Sequence, residues 1–279
     1  MKARIAVEHL LKNNLVIVQR MHPGVILLSD YDGTLVQISK SPELAVLPRE
    51  MKELLRALSK SIKIVVVSGR QLSELKALVG LRKVYYVGNH GFEISGPKMR
   101  LVRPEAIRTA TMIAQICQRL RERLGSTKGV IIEDKGATAS VHYRMVKKSG
   151  AAALRRVFAE TVDPYLKTGE IRITTGKKVL EIRPNVDWDK GKAITWIIAQ
   201  VDPKRELIPI YMGDDRTDED AFIALEKSGI TVLISKNKRK SHAKFFLKNV
   251  HEVKVFLDRL LEMNENKNVG TSSKFFCTI

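Results

Sequence analysis

The sequence predicts an α/β fold: a doubly wound parallel core sheet interrupted by an inserted α+β domain. Three observations carry this. Five apolar, β-branched runs punctuate the chain: VILLSD (25–30), IKIVVVSG (62–69), KVYYVGN (83–89), LIPIYMGD (207–214) and GITVLIS (229–235). Their apolarity is continuous rather than alternating, the pattern of strands buried on both faces between layers of helices. PREMKELLRALSK (48–60), RQLSELKALVG (70–80), KGKAITWIIAQV (190–201) and DEDAFIALEKSG (218–229) keep a helical apolar period, and most end in Lys, Gly or a turn signal. Between about Pro104 and Pro184 this rhythm stops and another begins.

Taken in order, residues 1–24 form an extension before the first core strand and are expected to add a helix on the sheet. Its apolar content is broken by Lys2, Arg4, Glu8, Lys12 and Arg20, unlike a signal peptide. The first part of the core then runs to about 103. The insertion, 104–184, reads as α-β-β-α-β-β. Its first helix carries Ile113, Ile116, Leu120 and Leu124 on one stripe. A hairpin follows in which Val141, Tyr143 and Met145 of ASVHYRM alternate with His142 and Arg144. AALRRVFAETV is the second helix, and EIRIT and KKVLEIRP are the closing strands. Such an insertion should form a small antiparallel layer over the core. The second part of the core occupies 185–279. Its end is polar from about 263 and expected to be loose, with FFCTI (275–279) able to dock on the body.

Composition narrows the class. Of 279 residues, 44% are apolar and 28% charged, as in a folded protein, and no stretch approaches the ~20 apolar residues of a membrane span. Cys117 and Cys277 stand far apart in no metal-like spacing, so unpaired thiols in a reducing, cytoplasmic setting are expected. The net charge of +19 suits either nucleic acid or small anionic substrates. The densest basic cluster, SKNKRKSHAK (235–244), lacks aromatic interleaving and fits a solvated face. Oligomeric state is not written in these patterns.

The chemistry gathers where strands end. LLSDYDGTLV (27–36) places Asp30 and Asp32 directly after an apolar run, and such a pair is tolerable at a strand end only with a cation or proton between them. In an open parallel sheet, ligands collect at the carboxyl ends of the strands. Asp30, Ser68 and Asp214 each end or follow such a run, so they should converge. Asp30, Asp32 and Asp214, with Asp215 and Asp218 behind them, make an oxygen-rich hole suited to Mg²⁺. Ser68 and Lys190 add a hydroxyl donor and a point charge for a phosphate group. Each piece alone has a simpler use: DGT as a turn, SGR as a helix cap, Lys190 as a solvated lysine, TDEDAF as a helix start. Only together do they describe a site.

DYDGT, VVSGR, DKGKA and GDDRTDED, in that order and spacing, resemble the four motifs of the haloacid dehalogenase superfamily. The insertion between the second and third motifs resembles the type IIB cap. GNHGFEI, VHYR, EIRP and MGDDRTDEDAF are similar to stretches of the trehalose-6-phosphate phosphatases. The resemblance implies a HAD-like, Rossmannoid core and a Mg²⁺-dependent phosphatase for a small sugar phosphate. It implies Asp30 as nucleophile, Asp32 as acid and base, and Ser68 and Lys190 as phosphoryl ligands. Mg²⁺ would sit on Asp30, the backbone carbonyl of Asp32, and Asp214, with Asp218 ordering a metal-bound water.

In the cap, Glu133 and Lys135 stand two apart, as do His142 and Arg144, so each pair shares one strand face. That face is either the solvated side of a hairpin or, as the resemblance implies, the surface that closes on the sugar. The resemblance adds Glu181 of EIRP as a sugar-binding acid and extends substrate binding to Arg70, Asn89 and His90. His90 is equally readable as a buried, hydrogen-bonded residue beside Gly88 and Gly91. Two alternatives stand beside trehalose 6-phosphate: a neighbouring substrate (sucrose 6-phosphate, mannosyl-3-phosphoglycerate, glucosylglycerol phosphate), and a basic nucleic-acid-binding protein on a phosphatase fold. The intact set Asp30, Asp32, Ser68, Lys190 and Asp214 argues against the second.

Overall fold

The computed structural model describes residues 4–5, 8–12, 24–39, 44–176, 178–237 and 239–272. After two short N-terminal strands, β1 (Arg4–Ile5) and β2 (Glu8–His9), the first core strand is β3 (Val25–Asp30). It is followed by α1 (Arg49–Leu58), β4 (Lys63–Val67), α2 (Leu72–Val79), β5 (Tyr85–Gly88) and the hairpin β6 (Glu93–Gly96) and β7 (Met99–Val102). The insertion contributes α3 (Pro104–Leu124), β8 (Ile131–Asp134), β9 (Ala139–His142), α4 (Ala151–Leu166), β10 (Ile171–Gly176) and β11 (Val179–Pro184). The chain returns through α5 (Lys190–Val201), β12 (Ile208–Gly213), α6 (Asp218–Ala224), β13 (Ile230–Ile234), β14 (Lys240–Ser241), β15 (Phe245–Leu247) and α7 (Val250–Ser272).

The core is a nine-stranded sheet in the order β2-β15-β13-β12-β3-β4-β5-β6-β7, in which only β6 runs against the others. The continuous apolar runs follow from its three layers. Within β3, Val25 and Leu27 pack with Met51, Leu55, Leu75 and Phe256 on one side. Ile26 and Leu28 face Ile194, Ile197 and Phe222 on the other. Both faces of the strand are therefore buried, and alternation has no polar side to show. The chain winds outward from β3 through β4 in one direction and through β12 in the other, which makes β3 the switch point where a crevice opens at the strand ends.

The insertion folds as a four-stranded antiparallel sheet, β10-β11-β9-β8, with α3 and α4 packed on one face. The predicted stripe of Ile113, Ile116, Leu120 and Leu124 is buried there with Val141 and Tyr143. Met145 is 53% exposed, because β9 ends at His142 and the alternation stops with it.

Three further differences concern the edges. The β6–β7 hairpin extends the sheet beyond the expected strands. Residues 8–12 form β2 and a 3₁₀ turn with Leu10 buried, rather than a helix, and residues 13–23 lie outside the described residues. α7 continues through Ser272 where a loose tail was expected from 263: adding residues to a formed helix needs no apolar stripe, only tolerable propensity. FFCTI lies outside the described residues. Among the described residues, no helix is long and apolar enough to cross a membrane.

Candidate active site

Asp30 closes β3 and is almost fully buried. Lys190, at the start of α5, reaches it across the switch point: Nζ donates to Asp30 Oδ1 at 2.8 Å and to Asp218 Oδ1 at 2.7 Å. The helix start is fixed by Asp189, whose side chain accepts from the Lys192 amide. Asp214 follows β12 and Asp218 opens α6, so the carboxylates arrive from separate elements. Two glycines let them close in. Gly33 has φ +88°, and a Cβ there would lie 2.4 Å from the Asp214 carboxyl carbon; one on Gly213 would lie 2.3 Å from that of Asp218. Burial, reinforced by Asp218 and Asp214, pushes the Asp30 carboxyl well above its usual range, with Lys190 acting against both.

Asp218 is wholly buried and fully engaged. Oδ1 accepts from Lys190 and from the Tyr211 hydroxyl at 2.7 Å, and Oδ2 accepts from the Asp215 amide at 2.8 Å. It therefore braces both the lysine and the loop that carries Asp214. Tyr211 went unnoticed in the sequence, where its ring is one more apolar residue of a strand. The available signal was a hydroxyl in a run buried on both sides, which needs a partner.

Ser68 follows β4, and its Oγ accepts from the Arg70 amide at 3.1 Å, a local turn bond; the helix that follows is capped at Gln71 with no side-chain bond, so Ser68 is not its cap. Arg70 turns its guanidinium onto Asp32, Nε to Oδ2 at 2.8 Å and Nη2 to Oδ1 at 2.9 Å, and also contacts Glu74. Asp32 is thus held by a two-pronged ion pair, a geometry that fixes orientation as well as charge.

The cap sheet meets this rim. Glu133 Oε2 lies 3.0 Å from His142 Nε2 and 3.5 Å from Lys135 Nζ, and Lys135 Nζ donates to the Gly69 carbonyl at 3.0 Å. Burial pushes Glu133 up, but His142 and Lys135 outweigh it and hold the carboxyl at about 2. Glu181 lies between His90, 3.0 Å away, and Arg183. Burial raises the Glu181 carboxyl, yet His90, Arg183 and Lys135 hold it well below the usual carboxylate range. His90 is itself lowered to about 4, first by burial and then by Arg183. It is neutral at neutral pH, so Nε2 carries the proton donated to Glu181 and Nδ1 is left without a partner.

A cavity of about 220 Å³ separates the two walls. Asp32, Ser68, Arg70 and Asp214 line it from the core, and Glu133, Lys135, His142, Arg144 and Glu181 from the cap. Arg144 also donates to the Ser39 carbonyl at 2.9 Å, a further bridge from cap to core. Asp30 and Lys190, both buried, are not among its lining residues. Asn89 and His90 do not line this cavity: both have positive φ, 48° and 56°, and their side chains are turned onto cap residues. A larger cavity, about 1030 Å³, flanks Asp214 and Asp215 and is lined by Arg216, Lys236, Arg239 and Lys248. In the smaller one the carboxylates, the Ser68 hydroxyl and the polar face of the cap converge.

Asp30, Asp214 and Asp218 can each offer a carboxylate oxygen within 4.8 Å of the others. An all-oxygen set with few carboxylates suits a hard cation that keeps several waters, so the residues present fit Mg²⁺.

The family model described as Trehalose-phosphatase matches residues 28–251. The chain is 35% identical over 256 residues to probable trehalose-phosphate phosphatase E of Arabidopsis thaliana, covering 87% of this chain and 72% of that one. Two solved structures share the fold at a TM-score of 0.76. One is a trehalose-6-phosphate phosphatase related protein (24% identity, covering 87% of this chain and 99% of that one). The other is the C-terminal domain of the C. albicans trehalose-6-phosphate phosphatase (22%, covering 92% and 99%).

Proposed function

Because the chain belongs to the trehalose-phosphatase family, we propose that it hydrolyses trehalose 6-phosphate to trehalose and phosphate through an aspartyl-phosphate on Asp30. The observation that carries this reading is the facing of two walls across one small cavity. The core wall offers Asp32, Ser68 and Asp214, with Asp30 and Lys190 buried, and the cap wall offers Glu133, Lys135 and Glu181.

The Asp30 carboxylate attacks phosphorus in line, forming the acyl-phosphate bond as the bond to the sugar oxygen breaks. Asp32 gives the departing oxygen its proton and then takes one from the water that cleaves the intermediate, a role typically worth about 10²–10⁴-fold. In the structure Arg70 engages both Asp32 carboxylate oxygens at the cavity edge, and Asp32 takes up its proton role when it leaves that ion pair for the substrate. Lys190 offsets part of the upward push that burial exerts on the Asp30 carboxyl and, with the Ser68 hydroxyl, holds phosphoryl oxygens. Asp30, Asp214 and the Asp32 carbonyl would hold Mg²⁺, with Asp218 behind them. The cation supplies charge neutralisation at the phosphoryl group. Glu133, Lys135, Arg144 and Glu181 grip the sugar from the cap. The reading places the enzyme in the cytoplasm, in keeping with the unpaired thiol of Cys117.

Asp30→Asn tests it. The variant should fold as the wild type does and show no turnover, and beryllium fluoride should inhibit the wild type. Multiple turnover by the purified variant would remove Asp30 from the role.

A further inference from the structure

Asn89 is fully buried at the end of β5, and its side-chain amide, which also donates to Glu93 Oε2 within the core, reaches into the cap. Nδ2 donates to the Lys135 carbonyl at 3.1 Å, and Oδ1 accepts from the Thr138 hydroxyl at 2.8 Å. Lys135 and Thr138 bracket the turn between β8 and β9, closed by Lys135 N to Thr138 O and Ala137 N to Lys135 O, each 2.9 Å. One core side chain therefore grips both ends of a cap turn. The backbone beneath it is unusual: Asn89 and His90 are consecutive non-glycine residues in the left-handed region, a conformation that persists only when its surroundings over-determine it. The Asn89 amide on the Arg70 carbonyl (2.7 Å) and the His90 amide on the Ser68 carbonyl (3.1 Å) supply that, and they tie the same two residues to the phosphate-side loop. With its backbone so clasped, Lys135 extends Nζ onto the Gly69 carbonyl, between Ser68 and Arg70.

We propose that Asn89 and Thr138 are positioning residues: a buried clasp that seats the cap turn on the Ser68–Arg70 loop and so sets where Lys135 meets the bound sugar phosphate. Neither touches the substrate, and they act through Lys135. The clasp rests on the sugar-phosphate reading above and adds to it a determinant of substrate affinity that lies outside the cavity. An ester too small to reach the cap gains nothing from it.

Thr138→Val removes the hydroxyl donor, and Thr138→Ser keeps it. This pair is preferable to Asn89 variants, which also disturb the left-handed backbone. With trehalose 6-phosphate, Thr138→Val should raise KM about tenfold, the usual effect of leaving a buried polar partner unsatisfied, with kcat nearly unchanged. Its kcat/KM for p-nitrophenyl phosphate should match the wild type, and Thr138→Ser should restore the sugar-phosphate KM. An unchanged KM in Thr138→Val, equal losses on both substrates, or no rescue by Ser would overturn the clasp. Failure of the wild type on trehalose 6-phosphate would instead refute the substrate reading. The clasp would then be tested by the same ratio with whichever sugar phosphate the wild type hydrolyses.

Discussion

Replacing Lys190 by Met keeps the length of the side chain and deletes the one charge that bridges Asp30 and Asp218. At 2.8 and 2.7 Å, and with an effective dielectric constant of about 20, each contact is worth roughly 6 kcal/mol of attraction. Much of this offsets the desolvation of three buried ions, and removing one partner of such a group typically destabilises by about 3–5 kcal/mol. For a chain of this size that corresponds to a fall in Tm of roughly 10 °C. The assay is thermal unfolding of wild type and Lys190→Met in a chelating buffer. Two dependences identify the cause. Without the lysine, Asp30 is pushed further above its unfolded pKa, so the folded variant is favoured at low pH and loses stability as pH rises through the folded value; the gap to wild type should narrow on acidification. Added Mg²⁺ should narrow it as well, by returning positive charge to Asp30, Asp214 and Asp218. A variant as stable as the wild type, or a loss indifferent to both pH and Mg²⁺, would refute the electrostatic reasoning.

Glu181→Ala should cut kcat/KM for trehalose 6-phosphate by about 1–3 kcal/mol of transition-state binding, roughly 5- to 150-fold, and leave p-nitrophenyl phosphate hydrolysis nearly unchanged. Equal losses on both would make Glu181 a support of the fold through His90 and Arg183. Acid should loosen the cap before the core. His90, lowered from 6.5 to about 4, contributes stability that is complete above 6.5 and lost as pH falls towards 4, on the order of 3 kcal/mol. Glu133, lowered from 4.5 to about 2, adds a loss over that lower window. His90→Gln should flatten the upper part of a stability-versus-pH curve, and an unaltered curve would exclude His90 as its source.

The core strands were legible because burial on both faces leaves a continuous apolar signature, and the cap because its alternation and helical stripe differ in kind from that signature. The edges were not. Phe245–Leu247 is too short to show a period, and β2 is a strand only because β15 lies beside it. The convergence of Asp30, Ser68 and Asp214 followed from strand-end logic, since parallel strands in one sheet must end on one rim. What the sequence could not disclose was the partner of each polar side chain. Asp32 and Arg70 are 38 residues apart, a pairing set by two loops at the ends of neighbouring core strands, and Asn89 and Thr138 are 49 apart, a pairing set by how the cap lies on the core. Asn89 was therefore expected at the substrate, whereas its backbone of positive φ accompanies a side chain turned to the cap, and His90 follows the second of its two readings, a buried, hydrogen-bonded residue.

Phosphate release, followed with and without Mg²⁺, is the most direct measurement. The panel is trehalose 6-phosphate, sucrose 6-phosphate, mannosyl-3-phosphoglycerate, glucosylglycerol phosphate and glucose 6-phosphate. Trehalose 6-phosphate should give the highest kcat/KM, release should stop in a chelator, and Ca²⁺ should restore it poorly, because Ca²⁺ prefers more ligands and looser geometry. Full activity without a divalent cation, or a clear preference for another member of the panel, would contradict the assignment.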